Sequence, residues 1–149
     1  KKITKEILKN KIKTIHKSFK FLFNRYPKIA ILGLNPHNSE FDKSSKEVKI
    51  IKPIIIKLKK EGKKIEGPFA ADTIFIKDYK NYDVVVGMYH DQVLGPFKTI
   101  YKFDAINVTL GLKYIRVSPD HGTAKNLIKK NIASPLSLIR CVEFINKLN

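Results

Sequence analysis

The feature that most constrains this chain is a form that recurs: a short apolar run ending in a polar turn that bears histidine or arginine. Tyr82-Asp83-Val84-Val85-Val86-Gly87 runs into Met88-Tyr89-His90-Asp91-Gln92. Lys28-Ile29-Ala30-Ile31-Leu32-Gly33-Leu34 delivers Asn35-Pro36-His37, and Tyr114-Ile115-Arg116-Val117 leads into Ser118-Pro119-Asp120-His121-Gly122-Thr123-Ala124. Runs of this length suit buried strands. The C-terminal mouths of such strands are where open α/β sheets place their ligands. Taken alone, His90 reads as part of a strand-to-helix turn capped by Asp91. The repetition of the form turns the balance toward a site.

Between these runs the pattern is helical. Ile3, Ile7, Leu8, Ile12, Ile15, Phe19 and Leu22 define one face of a helix over 3–23, with His16 beside the stripe and Asn24-Arg25-Tyr26-Pro27 as its end. Ser44 or Ser45 is placed to cap a second helix with Glu47 in its first turn. Ile50, Ile51, Ile54, Ile55 and Leu58 form its stripe, Pro53 kinks it or marks its true start, and Gly62 stops it. Gly67-Pro68 reads as a turn and Ala71-Asp72-Thr73 as a short polar segment. A strand over 106–110 turns at Gly111. Ser134-Pro135 then opens a last helix, with Leu138, Ile139, Val142, Ile145 and Leu148 as the expected buried stripe. The order helix, strand, helix, short strand, three further strands, helix predicts an α/β layered fold.

Composition narrows the partners. The 149 residues amount to one domain, without an apolar run near 18 residues, so no membrane span is expected. The charged N-terminus lacks the apolar core of a signal peptide, and one cysteine, Cys141, excludes an internal disulfide or a cysteine-built metal site. A cytoplasmic location follows as the expectation. No Met opens the sequence, which suggests a piece of a longer chain. The net charge is +17, from 30 basic and 13 acidic residues. Arg25, Arg116 and Arg140 are the only arginines, and the lysines are spread along helices. A solvated lysine coat is therefore favoured over nucleic-acid binding.

Two histidines converging on a metal would leave positions for a third ligand and for a substrate oxygen, which the metal could polarise. Lys98 and Arg116 could hold an anionic group, the arginine by a bidentate contact. The residues alone leave that site open.

Five stretches in one order carry a resemblance. They are Leu32-Gly33-Leu34-Asn35-Pro36-His37, Gly67-Pro68 with Ala71-Asp72-Thr73, Met88-Tyr89-His90-Asp91-Gln92, Asn107-Val108-Thr109-Leu110-Gly111-Leu112, and Arg116 with Asp120-His121-Gly122-Thr123-Ala124. Together they resemble the 4-hydroxythreonine-4-phosphate dehydrogenase, or PdxA, family of vitamin B6 synthesis. The resemblance implies an α/β/α fold of the isocitrate/isopropylmalate dehydrogenase type, present as its C-terminal half. Residues 1–110 would be roughly the second domain and 111–149 the return to the first. It further implies NAD-dependent oxidation of the C3 hydroxyl of 4-phosphooxy-L-threonine, followed by loss of carbon dioxide, in a homodimer. His37 and His90 match two of three metal histidines, with zinc first and magnesium or cobalt as alternatives. Lys98, Asn107 and Arg116 match the substrate-binding Lys, Asn and Arg. His121, Gly122, Thr123 and Ala124 match a cofactor-side turn.

The chain also departs from the family pattern. The third metal histidine belongs to an N-terminal half absent here, so this chain is expected to be inactive alone. Asn38-Ser39-Glu40-Phe41-Asp42 replaces a glycine-rich loop and should be less mobile. Asn126-Leu127-Ile128-Lys129-Lys130-Asn131 replaces a glycine-bearing run at the cofactor end. The alternatives are a sister dehydrogenase of 4-phosphorylated threonate or erythronate, and an inactive fragment acting as a basic binding module.

Overall fold

A computed structural model of the chain describes residues 3–36, 43–130 and 132–148. It is an α/β fold of two compact units, residues 1–96 and 97–149.

The first unit is built around strand β1 (Ile29–Leu32), every residue of which is wholly buried. It pairs in parallel with β2 (Ile65–Phe69) on one side and β3 (Val84–Val86) on the other. Successive side chains of a strand point to opposite faces, which splits β1 between two cores. Ile29 and Ile31 pack with Leu8 and Ile12 of helix α1 (Lys5–Phe23) and with Ile54, Ile55 and Leu58 of helix α2 (Lys52–Lys60). Ala30 and Leu32 pack on the other face with Ile74 of the short helix α3 (Ala71–Ile74) and with Val93. A strand covered on both faces must read as continuously apolar, and this one does.

The helix ends follow local chemistry. The Thr4 hydroxyl accepts from the Ile7 N–H at 3.2 Å to cap α1, and Asn24 closes it in the left-handed region at φ 53°. The buried line of α1 is Leu8 and Ile12, narrower than the stripe expected, and Ile7 is 47% exposed. His16 is structural: its ring stacks on Tyr26 at 4.5 Å, and burial, helped by Lys63, lowers its pKa. A π-helical segment, Glu47–Ile51, runs directly into α2, with Pro53 as the second residue of the α-helix. Burying Ile54, Ile55 and Leu58 contributes about 1.5–3 kcal/mol per side chain. Gly67-Pro68, expected as a turn, lies within β2. Its place beside β1 is the reason: Leu32 pairs with Phe69 after a shift of register.

Ion pairs fasten the entry to the sheet. One Asp83 carboxylate oxygen accepts from Arg25 Nη2 at 2.7 Å and the other from the Lys28 N–H at 2.8 Å. The Arg25 guanidinium holds the Asp83 carboxyl below its ordinary pKa.

Helix α4 (His90–Tyr101) lies between the Val84–Val86 run and the strand over 106–110, where the expected order of elements placed no helix. Pro96 lies inside the helix. The division between the units falls within α4. In the second unit, β4 (Ile106–Thr109) and β5 (Arg116–Pro119) form an antiparallel pair, and both contact helix α5 (Leu136–Asn146). The stripe expected on α5 is reversed. Its buried residues are Ser137 and Cys141, whereas Leu138, Ile139, Val142 and Ile145 are exposed. Small side chains occupy the inner line, where Ser137 reaches backbone groups before and after the strand pair. No described helix is long and apolar enough to cross a membrane.

Two glycines test the rigidity of the first unit. Gly67 has φ +127°, and an added Cβ would collide with the carbonyl oxygen of Ile31 on the buried strand. Gly62 has φ +79° but opens onto empty space. Gly67→Ala is expected to cost roughly 3 kcal/mol or more, from strained backbone and overpacking together. Gly62→Ala should cost about 1–2 kcal/mol from backbone conformation alone. Urea unfolding midpoints will separate the two, and equal losses would contradict the close Gly67–Ile31 packing.

Candidate functional site

In the first unit β1 and β3 are neighbours in the sheet, and His90 follows the C-terminal end of β3. The turn after β1 is heavily bonded. The Gly33 N–H donates to the Phe69 carbonyl at 2.8 Å, and the Gly33 carbonyl accepts from Gln92 Nε2 at 2.6 Å. The Leu34 and Asn35 N–H groups both donate to one carboxylate oxygen of Glu47, at 2.8 and 2.7 Å. Across the sheet, the Met88 N–H donates to Gln92 Oε1 at 2.7 Å. Gln92 is therefore satisfied at both ends of its amide although buried, and Glu47 is buried as well.

His90 opens α4 and is well exposed. Its Nδ1 lies 2.7 Å from Asp91 Oδ1, which leaves Nε2 directed elsewhere. That is the arrangement in which a carboxylate orients a metal-binding imidazole. His37 lies outside the described residues. Among the described residues no group of three or more histidine, cysteine or carboxylate side chains is placed to hold a metal. Of the two expected metal histidines, His90 is the described one, and its imidazole is a side chain that can ligate a metal.

In the second unit a cavity of about 670 Å³ is lined by Lys98, Lys102, Phe103, Asp120, His121 and Gly122 among others, including Ala124. Lys98, His121, Gly122 and Ala124 are thereby brought together, while Thr123 is not among the lining residues. The Lys98 ammonium donates to the backbone carbonyl and to a carboxylate oxygen of Asp120, each at 2.6 Å. An ammonium has three donors, so one remains for a ligand. An added Cβ on Gly122 would meet nothing within 4 Å, so this turn faces open space. Ala124 adopts the left-handed region at φ 45°.

Asn107 and Arg116 form a second group. Asn107 is opposite Ser118, and Thr109 is opposite Arg116. Alternate residues share a face, so these four side chains stand on one side of the strand pair, with Asn107 and Arg116 as diagonal neighbours. Arg116 Nη1 donates to the Thr109 hydroxyl at 2.9 Å, a neutral partner that leaves the guanidinium charge uncompensated by this contact. Arg25 and Arg140 are tied to carboxylates instead, Arg140 to Asp104 at 2.6 Å and to Glu143 at 2.8 Å.

Sequence reasoning did not foresee the roles of Gln92, Glu47 or Ser137. Gln92 stood in a quoted triplet and Glu47 in a first helical turn, but neither position showed what the side chain would hold. Ser137 gave no signal at all. It is 2% exposed, accepts from the Asp120 N–H at 2.8 Å and donates to the Ala105 carbonyl at 2.5 Å. Ser137→Ala would leave both backbone groups unsatisfied and is expected to cost about 1–3 kcal/mol. Ser137→Thr should recover part of that loss in thermal denaturation. An alanine variant as stable as the parent would show that these bonds contribute nothing.

Comparison with known proteins places the chain. The family model described as "Pyridoxal phosphate biosynthetic protein PdxA" matches residues 1–145. A 4-hydroxythreonine-4-phosphate dehydrogenase of Sulfurihydrogenibium is 47% identical over 143 residues, which is 95% of this chain and 44% of the relative. The structure of a Salmonella typhimurium protein matches with a TM-score of 0.81 and 32% identity, over 99% of this chain and 46% of its own. The 4-hydroxythreonine-4-phosphate dehydrogenase from Klebsiella pneumoniae matches at 0.75 and 30%, over 98% of this chain and 44% of its own. The chain accordingly spans somewhat under half the length of these relatives. With nearly all of its residues matched by the family model, it belongs to the PdxA family of pyridoxal phosphate biosynthetic proteins.

Proposed function

We propose that this chain supplies the C-terminal share of an NAD-dependent, metal-assisted dehydrogenase of 4-phosphooxy-L-threonine. The observation that carries the reading is Lys98. Its ammonium lines a cavity together with the His121-Gly122 turn and keeps one donor for an anion. On this reading Lys98 binds the substrate's phosphate or carboxylate, and Arg116 offers a charged fork to the same class of group. Asn107, its diagonal neighbour, orients the substrate by its amide. His121, Gly122, Thr123 and Ala124 form the cofactor-side turn, where the open space before Gly122 admits a close approach of backbone to the dinucleotide.

A divalent metal, zinc first among the candidates, would be held by His90 through Nε2, together with His37 and a third ligand from outside this chain. When bound, the metal would supply Lewis acidity at the C3 hydroxyl, and NAD would supply the two-electron oxidant. Oxidation at C3 gives a β-keto acid, which then loses carbon dioxide. Asp91 Oδ1, 2.7 Å from His90 Nδ1, would favour the tautomer that leaves Nε2 free for the metal. We assign residues 1–110 to the second domain of the full enzyme and 111–149 to the return into the first. The working form would be a cytoplasmic homodimer.

Neither His90 alone nor a pair of histidines closes a catalytic coordination shell. The 149 residues by themselves are therefore expected to be inactive. Misplacing reacting atoms by about 1 Å already costs about 10²-fold in rate. The chain is to be assayed for NADH formation from NAD and 4-phosphooxy-L-threonine, alone and completed with the portion of its relatives that it does not span. Formation by the short chain at the completed enzyme's rate would overturn this reading.

In the completed enzyme, His90→Ala should lower the bound metal measured by atomic absorption, and unchanged metal would remove His90 from the site. Arg116→Lys should raise the substrate KM far more than the NAD KM, because charge is kept while the fork is lost. An equal rise in both would make Arg116 structural.

A further inference from the structure

The geometry points to Gln92 and Glu47 as positioning residues that fix the turn after β1 and the turn after β3 in one relative placement, and so hold His90 in its metal-binding pose. This inference rests on the metal reading of His90. The two side chains are unusual for a polar crest. Both are buried, at 6% and 5% exposure, in the part of the unit where the chain leaves the sheet toward solvent.

Gln92 spans the gap between the two turns. Its Nε2 donates to the Gly33 carbonyl beyond β1, and its Oε1 accepts from the Met88 N–H beyond β3. Only a side chain carrying a donor and an acceptor on one rigid amide meets both needs at this reach. A carboxylate of the same length would set an acceptor against the Gly33 carbonyl. Gln92 lies two residues after His90 in the first turn of α4, so any slack in this bridge passes directly to the start of the helix that carries the imidazole.

Glu47 holds the same turn from the other side. One carboxylate oxygen accepts from both the Leu34 and Asn35 N–H groups, and with the Gly33–Phe69 bond every backbone N–H from Gly33 to Asn35 is engaged. Burying a carboxylate is costly unless hydrogen bonds compensate it. Here the compensation fixes a three-residue turn at the mouth of the sheet. Groups that orient metal ligands from behind commonly change metal affinity by about 10–100-fold when removed.

The test measures zinc affinity of the completed enzyme by competition with a chromogenic chelator, alongside thermal midpoints. Gln92→Glu is expected to weaken zinc binding by roughly 10–100-fold. Glu47→Ala should do the same, and Glu47→Gln should retain affinity, because an amide oxygen still accepts from both N–H groups. Gly62→Ala, remote from the turns, serves as a destabilised control that keeps parental zinc affinity. Should Gln92→Glu fail to fold, the Glu47→Ala and Glu47→Gln pair reads the same arrangement. Parental zinc affinity in Gln92→Glu and Glu47→Ala, with loss in His90→Ala, would overturn the positioning role and leave the metal reading standing. Parental affinity in His90→Ala as well would overturn both. Loss in Glu47→Gln equal to that in Glu47→Ala would also count against the positioning role, since it would make the charge rather than the bond the operative feature.

Discussion

The complete burial of β1 is the constraint from which the first unit follows. Four consecutive residues, Ile29 to Leu32, have no exposed surface, and their alternation feeds two separate cores. A strand covered on both faces can satisfy its backbone only through lateral neighbours, and β2 and β3 provide them in parallel. Parallel neighbours in turn require crossover connections, which α2 and α3 supply on opposite faces. The common direction of the strands brings their C-terminal ends to one edge. The turn at Gly33 and the turn at Met88 meet there for that reason, and not because either sequence encodes the other.

Much of the first unit was legible in the sequence because its signals are local. The Asn24 terminus, the α2 stripe and the two apolar runs that became β1 and β3 depend on nearest neighbours and on simple periodicity. Legibility failed where tertiary packing decided the outcome. No helix was expected between the Val84–Val86 run and the strand over 106–110, yet α4 fills that stretch. On α5 the apolar line and the buried line are different lines. Periodicity reports which residues avoid water, and Ser137 and Cys141 are inside because the strand pair needs a close approach and a hydroxyl. The site shows the same division. Motif residues such as Lys98, His121 and Gly122 could be named in advance, and they do share a cavity. Gln92, Glu47 and Ser137 act through bonds to backbone 59, 12 and 32 positions away, and no pattern in a single sequence states such a pairing.

Both units hold an arginine–aspartate pair, and the second adds a pair on a cavity wall. In the first, arginine and aspartate are used to fasten strands: the Arg25–Asp83 pair ties the approach to β1 to the approach to β3. In the second, Lys98 and Asp120 form a close pair on a cavity wall, 34% and 21% exposed. A partly wet pair of this sort contributes little to folding. It does fix where an ammonium stands before any anion arrives, which lessens the ordering that binding would otherwise require.

The exposed line Leu138, Ile139, Val142 and Ile145 has a colloidal consequence. It is an apolar helical face on a chain whose net charge is +17, so two opposed tendencies act between copies in solution. Long-range repulsion among lysine coats keeps molecules apart, while the short-range attraction of α5 faces draws them together once they touch. The balance is set by ionic strength. At about 0.01 M salt the repulsion reaches some 30 Å, and at about 0.15 M it has contracted to about 8 Å, less than the diameter of a helix. Dispersal of this chain is thus a property of its solvent as much as of its sequence.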